Sequence, residues 1–269
     1  MVAGIMLTTP NEQYVAAISN AGYHVEIACG GMNTEDDMVT KLYALADLLE
    51  LGRGITLNCI FGNPKLWDFQ FQVLLRLRRE GLPIVGLSIS GDVPSFSKAL
   101  DIINVLRDAG IRHVSFKSGI VRAIRQVINI AQASNNFPIV LQWTGGRGGS
   151  YSFEDFYQPI LETYAAIRAC ENIVLIAGSE FSDAEGSLSF MTGDWSVSFG
   201  SAPMPFDGIM LESRGITAQE AATALTAKRL NNVASEVSGT EWKQMYDSAS
   251  NSAVSFTAEN SEQDRTLMT

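Results

Sequence analysis

Gln142-Trp143-Thr144-Gly145-Gly146-Arg147-Gly148-Gly149-Ser150-Tyr151 is where an apolar run, Pro138 to Leu141, turns into a glycine-rich loop. Such a loop lets backbone approach a ligand closely, because glycine adopts conformations other residues avoid. Ser152-Phe153-Glu154-Asp155 follows at once and reads as a helix start. Ser152 caps, acids fill the first turn, and Phe156, Ile160, Leu161 and Tyr164 share a face. Strand, glycine loop, helix: this is a βα unit whose turn is suited to ligand binding.

The same grammar recurs on both sides of it. Residues 2–6 form a short apolar run, and an amphipathic stretch from Asn11 (Tyr14, Val15, Ile18) closes at Gly22. Residues 23–28 run into Cys29-Gly30-Gly31, after which Thr34, with Asp37 three residues on, caps a helix to about residue 51. Residues 54–61 precede Asn63-Pro64 and a helix with Phe71, Leu74, Leu75 and Leu77 on its buried side, ending at Gly81. Residues 84–89 lead to a helix near Ser95, and residues 113–117 to one over 119–133. Residues 138–144 make the sixth strand, 172–178 a seventh and 207–211 an eighth, with a helix from Thr217 to about Lys228.

Eight apolar strands without strict alternation, each followed by a helical segment, predict an α/β fold, a single-domain (β/α)8 TIM barrel over residues 1–230. An open doubly wound sheet would also alternate, but eight units in this length favour closure. Residues 185–206, with Trp195 and Pro203-Met204-Pro205, read as an enlarged seventh loop. The polar, Ser-rich tail over 231–269 reads as peripheral or partly disordered.

The 269 residues, 46% hydrophobic, suffice for one sizeable core. A formal charge of −10 disfavours nucleic acid or an anionic membrane as general partners. Cys29, Cys59 and Cys170 have spacings of neither a disulfide framework nor a zinc site. No apolar stretch approaches the ~20 residues of a membrane span, and no leader is evident, so a cytoplasmic protein is expected.

Barrel enzymes work at the C-terminal ends of their strands. That face collects Thr8, Thr9, residues 29–31, Asn58, Ser88, Ser90, Lys117, residues 142–151, residues 179–183 and Glu212 to Arg214. His24 and His113 stand at strand starts, on the opposite face, where a structural role is expected. No metal cluster is apparent on the working face. Lys117 reads as a charge partner for an anion, a Schiff-base nucleophile or a solvated rim lysine. Arg147 either grips a phosphate or carboxylate or bridges surface acids. Trp143 and Phe181 read as packing residues before stacking platforms.

Assembled, these residues resemble the enoyl reductase domain of fungal fatty acid synthases, an FMN-dependent TIM barrel related to nitronate-monooxygenase-type flavoproteins. The specific stretches are Asn20-Ala21-Gly22-Tyr23-His24, Gly52-Arg53-Gly54-Ile55-Thr56, residues 137–149, residues 152–156, Gln158-Pro159-Ile160-Leu161 and Pro203-Met204-Pro205-Phe206-Asp207-Gly208. The resemblance implies that NADPH reduces the flavin, which reduces a 2,3-enoyl thioester on an acyl carrier. It places Asn58, Lys117 and Gln142 around the isoalloxazine, with Gly145 and Gly146 beside it.

The departures fall on the chemistry. The family carries histidine after the glycine run as its proton donor, whereas Gly149 here is followed by Ser150 and Tyr151. Tyr151 is the replacement acid at hand, with an ordinary pKa of about 10. Where the family has glycines around the flavin phosphate, this chain has Glu180, Asp183 and Glu212, with Arg214 to compensate. Each carboxylate would repel a phosphate charge by ~1 kcal/mol at about 4 Å in water-like dielectric, and by several-fold more when dry.

The expectation is therefore a flavin-free relative: an isomerase or cyclase acting on an acyl or polyketide-type substrate in a specialised pathway, with no cofactor. Its catalytic candidates are Lys117, Tyr151, Glu180, Asp183 and Glu212. Asn58, Gln142, Gly145, Gly146, Arg147 and Arg214 are expected to bind substrate or cofactor. The alternatives are an FMN- and NADPH-dependent enoyl reductase, or a non-catalytic scaffold binding a synthase partner through the tail. The chain, running from first strand to eighth helix, is also expected to stand alone without synthase domains.

Overall fold

A computed structural model describes residues 2–4, 12–144, 157–178 and 184–211. Contacts divide the chain into two compact units, Met1–Thr223 and Ala224–Thr269, and the second lies wholly outside the described residues. So do the expected helix from Thr217, the polar tail, and the expected helix start at Ser152.

Eight strands alternate with seven helices among the described residues. They are β1 (Val2–Gly4), α1 (Glu12–Asn20), β2 (His24–Ala28), α2 (Glu35–Leu48), β3 (Ile55–Ile60), α3 (Pro64–Arg79), β4 (Ile84–Ser90) and α4 (Phe96–Asp108). They continue with β5 (His113–Ser118), α5 (Val121–Ala133), β6 (Ile139–Trp143), α6 (Gln158–Arg168), β7 (Ile173–Gly178), α7 (Ala184–Thr192), a 3-10 helix (Asp194–Phe199) and β8 (Gly208–Leu211). All pairings are parallel and run in chain order. The ring closes where β1 pairs with β8, Val2 opposite Met210 and Ala3 opposite Leu211. A parallel sheet needs both faces covered, which is why its strands read as apolar runs.

The helix signals are physical ones. Thr34 accepts the Asp37 amide at 3.2 Å and Asn63 accepts that of Leu66 at 3.3 Å, each satisfying an N–H that the first turn leaves unpaired. Helix α2 ends at Leu48, three residues short of the expected stop, before the fully exposed Leu51. In α3, Trp67, Val73, Leu74, Leu75 and Leu77 face the sheet, whereas Phe71, expected among them, is only partly buried. Gln70 is fully buried instead. Its Nε2 donates to the carbonyls of Cys29 (2.7 Å) and Met32 (3.0 Å), strapping down the loop after β2. The three cysteines are free and buried.

Residues 185–206, expected as an enlarged loop, hold α7 and the 3-10 helix. Their aromatic residues account for the turn. Trp143, fully buried, points outward from β6 onto Phe190 (centroids 5.8 Å) and Phe206 (5.7 Å), while Phe190 stacks on Trp195 at 5.4 Å. Trp143 is thus a packing residue. Gly193 makes the turn possible. It has φ +85°, and a Cβ there would lie 2.4 Å from the Met204 nitrogen. Asp207 then ties β8 to β7, accepting the Leu175 amide and the Arg168 guanidinium, each at 2.7 Å.

Candidate functional site

Side chains two residues apart on a strand share a face, so the barrel lumen can be read strand by strand. His24 and Glu26 on β2 reach residues of β3, β5 and β6. Strands that are not neighbours can meet only through the lumen. The same face carries Thr56 and Asn58 on β3, His113, Ser115 and Lys117 on β5, and Val140 and Gln142 on β6. Gly86 belongs to this set because a Cβ there would sit 2.0 Å from the His113 Nε2. Ser88, two residues on, follows it.

The lumen is divided. On one side Val140, Ile176 and Met210 form a small apolar cluster. The opposite side is polar. Thr56 Oγ1 lies 2.9 Å from His24 Nε2 and 3.0 Å from His113 Nε2, and the two rings are 5.0 Å apart. Burial drives both imidazoles below their ordinary pKa. His113, further lowered by His24, falls to about 3, while for His24 the Glu26 carboxylate partly opposes the effect of burial. The expectation that both histidines lie away from the strand ends holds.

One layer higher, at the working end, stands a residue that the sequence reading missed. Glu26 is only 2% exposed, and its carboxylate is the hub of the lumen. Lys117 Nζ approaches it at 3.5 Å, Gln142 Nε2 donates to Oε1, and Asn58 Nδ2 makes a longer 3.5 Å contact with Oε2. A buried carboxylate without such partners would cost several kcal/mol. The lysine is 16% exposed, so it faces the mouth while Glu26 lies beneath it. Of its three sequence readings, partner to an anion is the one the geometry favours, and the anion is internal.

Three more polar atoms on this face have no hydrogen-bond partner among the described residues: Ser88 Oγ, Ser115 Oγ and Gln142 Oε1. Ser88 and Ser115 are paired across β4 and β5 and almost wholly buried. Small hydroxyls and Gly86 stand where a barrel interior usually carries branched apolar side chains. The result is a polar lining on this side of the lumen, with the Lys117 ammonium as its partly exposed end.

Of the expected site residues, Asn58, Lys117 and Gln142 are brought together. Tyr151, Glu180, Asp183, Glu212, Gly145, Gly146, Arg147 and Arg214 lie outside the described residues, as do Thr8, Thr9 and Phe181. Cys29, on the same rim by sequence, is buried beside Cys59. The Cys29 thiol and burial push the Cys59 thiol well above its ordinary pKa, which removes it as a nucleophile. Glu26 escaped notice because a lone acid within His-Val-Glu-Ile-Ala gives no motif. The signal available was an ionisable residue in an apolar strand, two positions above a histidine on the same face.

The family described as "Fatty acid synthase subunit beta/Fas1-like, helical" matches residues 138–269. The chain is 46% identical over 260 residues to fatty acid synthase beta subunit pigK of Monascus ruber, covering 96% of this chain and 13% of that protein. It is 44% identical over 260 residues to fatty acid synthase beta subunit aflB of Emericella nidulans, covering 96% of this chain and 12% of that protein. The chain therefore spans about an eighth of the length of these relatives. Among solved structures, the enoyl reductase domain of MlnA from the macrolactin cluster of Bacillus amyloliquefaciens shares its fold. The TM-score is 0.55 and the identity 14%, over 85% of this chain and 56% of that one.

Proposed function

We propose that this chain, whose homologues are fungal fatty acid synthase β subunits, is a proton-transfer enzyme. It binds an acyl or polyketide-type thioester, free or on a carrier, and isomerises or cyclises it without a flavin in a specialised pathway.

The observation that carries the reading is Lys117 at the mouth, resting on the buried Glu26. A thioester carbonyl at the mouth accepts a hydrogen bond from the Lys117 ammonium. Removing a proton next to that carbonyl, or in vinylogous position to it, puts negative charge on the oxygen. An ammonium fixed in a water-poor site stabilises that enolate far better than it would in water. Returning the proton to a different carbon moves the double bond, and attack by the enolate carbon on a second carbonyl closes a ring. Tyr151, Glu180, Asp183 and Glu212 are the candidates for carrying that proton. Gly145, Gly146, Arg147 and Arg214 are candidates for holding the acyl group or its carrier.

Two features support a site without FMN. The three side chains that the resemblance sets around an isoalloxazine, Asn58, Lys117 and Gln142, are directed at Glu26. The positions that the resemblance assigns to the phosphate loop carry Glu180, Asp183 and Glu212, and a phosphate needs N–H donors there rather than carboxylates. The second reading, an enoyl reductase using FMN and NADPH, is favoured by the relatives and by the shared backbone with an enoyl reductase domain. It also needs Lys117, since hydride addition to an enoyl thioester likewise puts negative charge on the thioester oxygen.

Isomerisation of a 3-enoyl to a 2-enoyl thioester, followed by ultraviolet absorbance with no cofactor added, tests the proposal. Turnover is expected to fall on the order of a hundredfold or more in Lys117→Met. Turnover that appears only when FMN and NADPH are supplied contradicts it.

A further inference from the structure

We infer that the groove between helices α4 and α5 binds the phosphorylated adenosine end of coenzyme A, so that the thioester arrives as a coenzyme A ester rather than on a carrier. The inference rests on the proposed thioester chemistry and names the handle by which that substrate is held.

The groove is an open cleft of about 830 Å3. Small-molecule sites typically measure ~300–1,000 Å3. Phe96, at the start of α4, lines one side, and Arg122, Arg125, Gln126, Asn129 and Gln132 of α5 line the other. The two sides are tied together. Gln126 Nε2 donates to the carbonyls of Val93 (3.3 Å) and Pro94, in the segment entering α4, so the cleft is formed before any ligand arrives. Both charged residues that line it are arginines, in a chain whose formal charge is −10. Arg125 Nη2 donates to Glu162 Oε1 of α6 at 2.6 Å, which holds that guanidinium in place and offsets part of its charge. Arg122 is exposed and makes no ion pair or hydrogen bond with another described residue.

The guanidinium fork matches phosphate oxygens two at a time, which makes arginine the side chain suited to a phosphate ligand. Phe96 is 46% exposed, and an exposed ring offers a purine a stacking face. The amides of Asn129 and Gln132 can donate to and accept from a base edge or a ribose hydroxyl. An inorganic anion would leave the ring and the amides unused, whereas an adenosine phosphate engages all three kinds of group. The cleft also lies towards the working end of the barrel. Lys117 is the penultimate residue of β5, and Arg122 stands second in α5. Five residues of chain separate them, so their α-carbons lie at most about 18 Å apart. An extended pantetheine arm has a comparable reach, which lets one molecule set its phosphates on Arg122 and its thioester carbonyl on Lys117. A carrier-borne thioester has the same arm and one phosphate but no base for Phe96.

Calorimetric titration of the full chain with coenzyme A itself, bearing no acyl group, tests the site apart from the reaction. Affinity is expected to fall on the order of 10- to 100-fold in Arg122→Glu, to recover in part in Arg122→Lys, and to fall about tenfold in Phe96→Ala. Both side chains are exposed, so the variants keep the fold. Pantetheine, which has the arm without phosphate or base, should bind at least about tenfold more weakly than coenzyme A. A wild type that does not bind coenzyme A, or an affinity unchanged in Arg122→Glu, overturns the site. Turnover then separates the site from the reaction. With a 3-enoyl coenzyme A ester, Arg122→Glu should raise KM and leave kcat unchanged, while the 3-enoyl pantetheine ester is indifferent to the change. Equal wild-type kcat/KM for the two esters, or turnover confined to an ester on a carrier protein, overturns the inference and leaves the isomerase standing. If no thioester is turned over, the functional reading fails, and the coenzyme A titration alone decides the groove.

Discussion

Replacing Lys117 by methionine leaves the Glu26 carboxylate buried without its cation, and the cost follows from the geometry. At 3.5 Å and an effective dielectric of about 20, the attraction between the two charges is about 5 kcal/mol. The donors on Gln142 and Asn58 remain and soften the loss, so a destabilisation of about 3–5 kcal/mol is expected, the usual range for breaking a buried pair from one side. Glu26→Gln costs less, because the ammonium it leaves behind is nearer the mouth and can reach water. The double variant should recover at least about 2 kcal/mol relative to the sum of the single changes. Urea unfolding of the four proteins at pH 7, with equal slopes, measures that coupling. Single effects that add to within about 0.5 kcal/mol would refute the assignment of Glu26 and Lys117 as one buried unit.

The two floor histidines give the protein a pH signature. His113 titrates at about 3 when folded against an ordinary 6.5, so the unfolded chain binds more protons below about pH 7 and stability falls as pH drops. That one group should cost up to about 2 kcal/mol between pH 7.5 and 5, read as a falling urea midpoint, and His113→Gln should flatten the curve. Gly86→Ala should destabilise by about 1–3 kcal/mol and abolish the same pH dependence, because its Cβ occupies the His113 ring position. Gln70→Ala releases the carbonyls of Cys29 and Met32. It should cost about 1–3 kcal/mol and speed amide exchange around residues 29–32, measured by mass spectrometry.

The ring of strands was legible because its signals are local. Apolar runs, Thr34 and Asn63 as caps, and turn glycines each act within a few residues, and the strand order followed from their alternation with helices. The lumen was legible only in part. Asn58, Lys117 and Gln142 were singled out by position at strand ends and by resemblance, yet what they converge on lies 116 residues before Gln142 and carries no motif. A hub of this kind is defined by which side chains cross the barrel, and strand periodicity says only which face a residue occupies. The same limit applies to Gly86, whose reason is the ring of His113 on the next strand. Residues 185–206 were misread as loop because their aromatic spacing serves a cluster with Trp143 and Phe206 rather than one helical face.

The visible spectrum of the purified chain, alone and after incubation with excess FMN and gel filtration, tests the central claim most directly. The account predicts a colourless protein that stays colourless while it isomerises an enoyl thioester. Flavin absorbance in a near one-to-one ratio, surviving the column, would contradict it and make the chain an enoyl reductase.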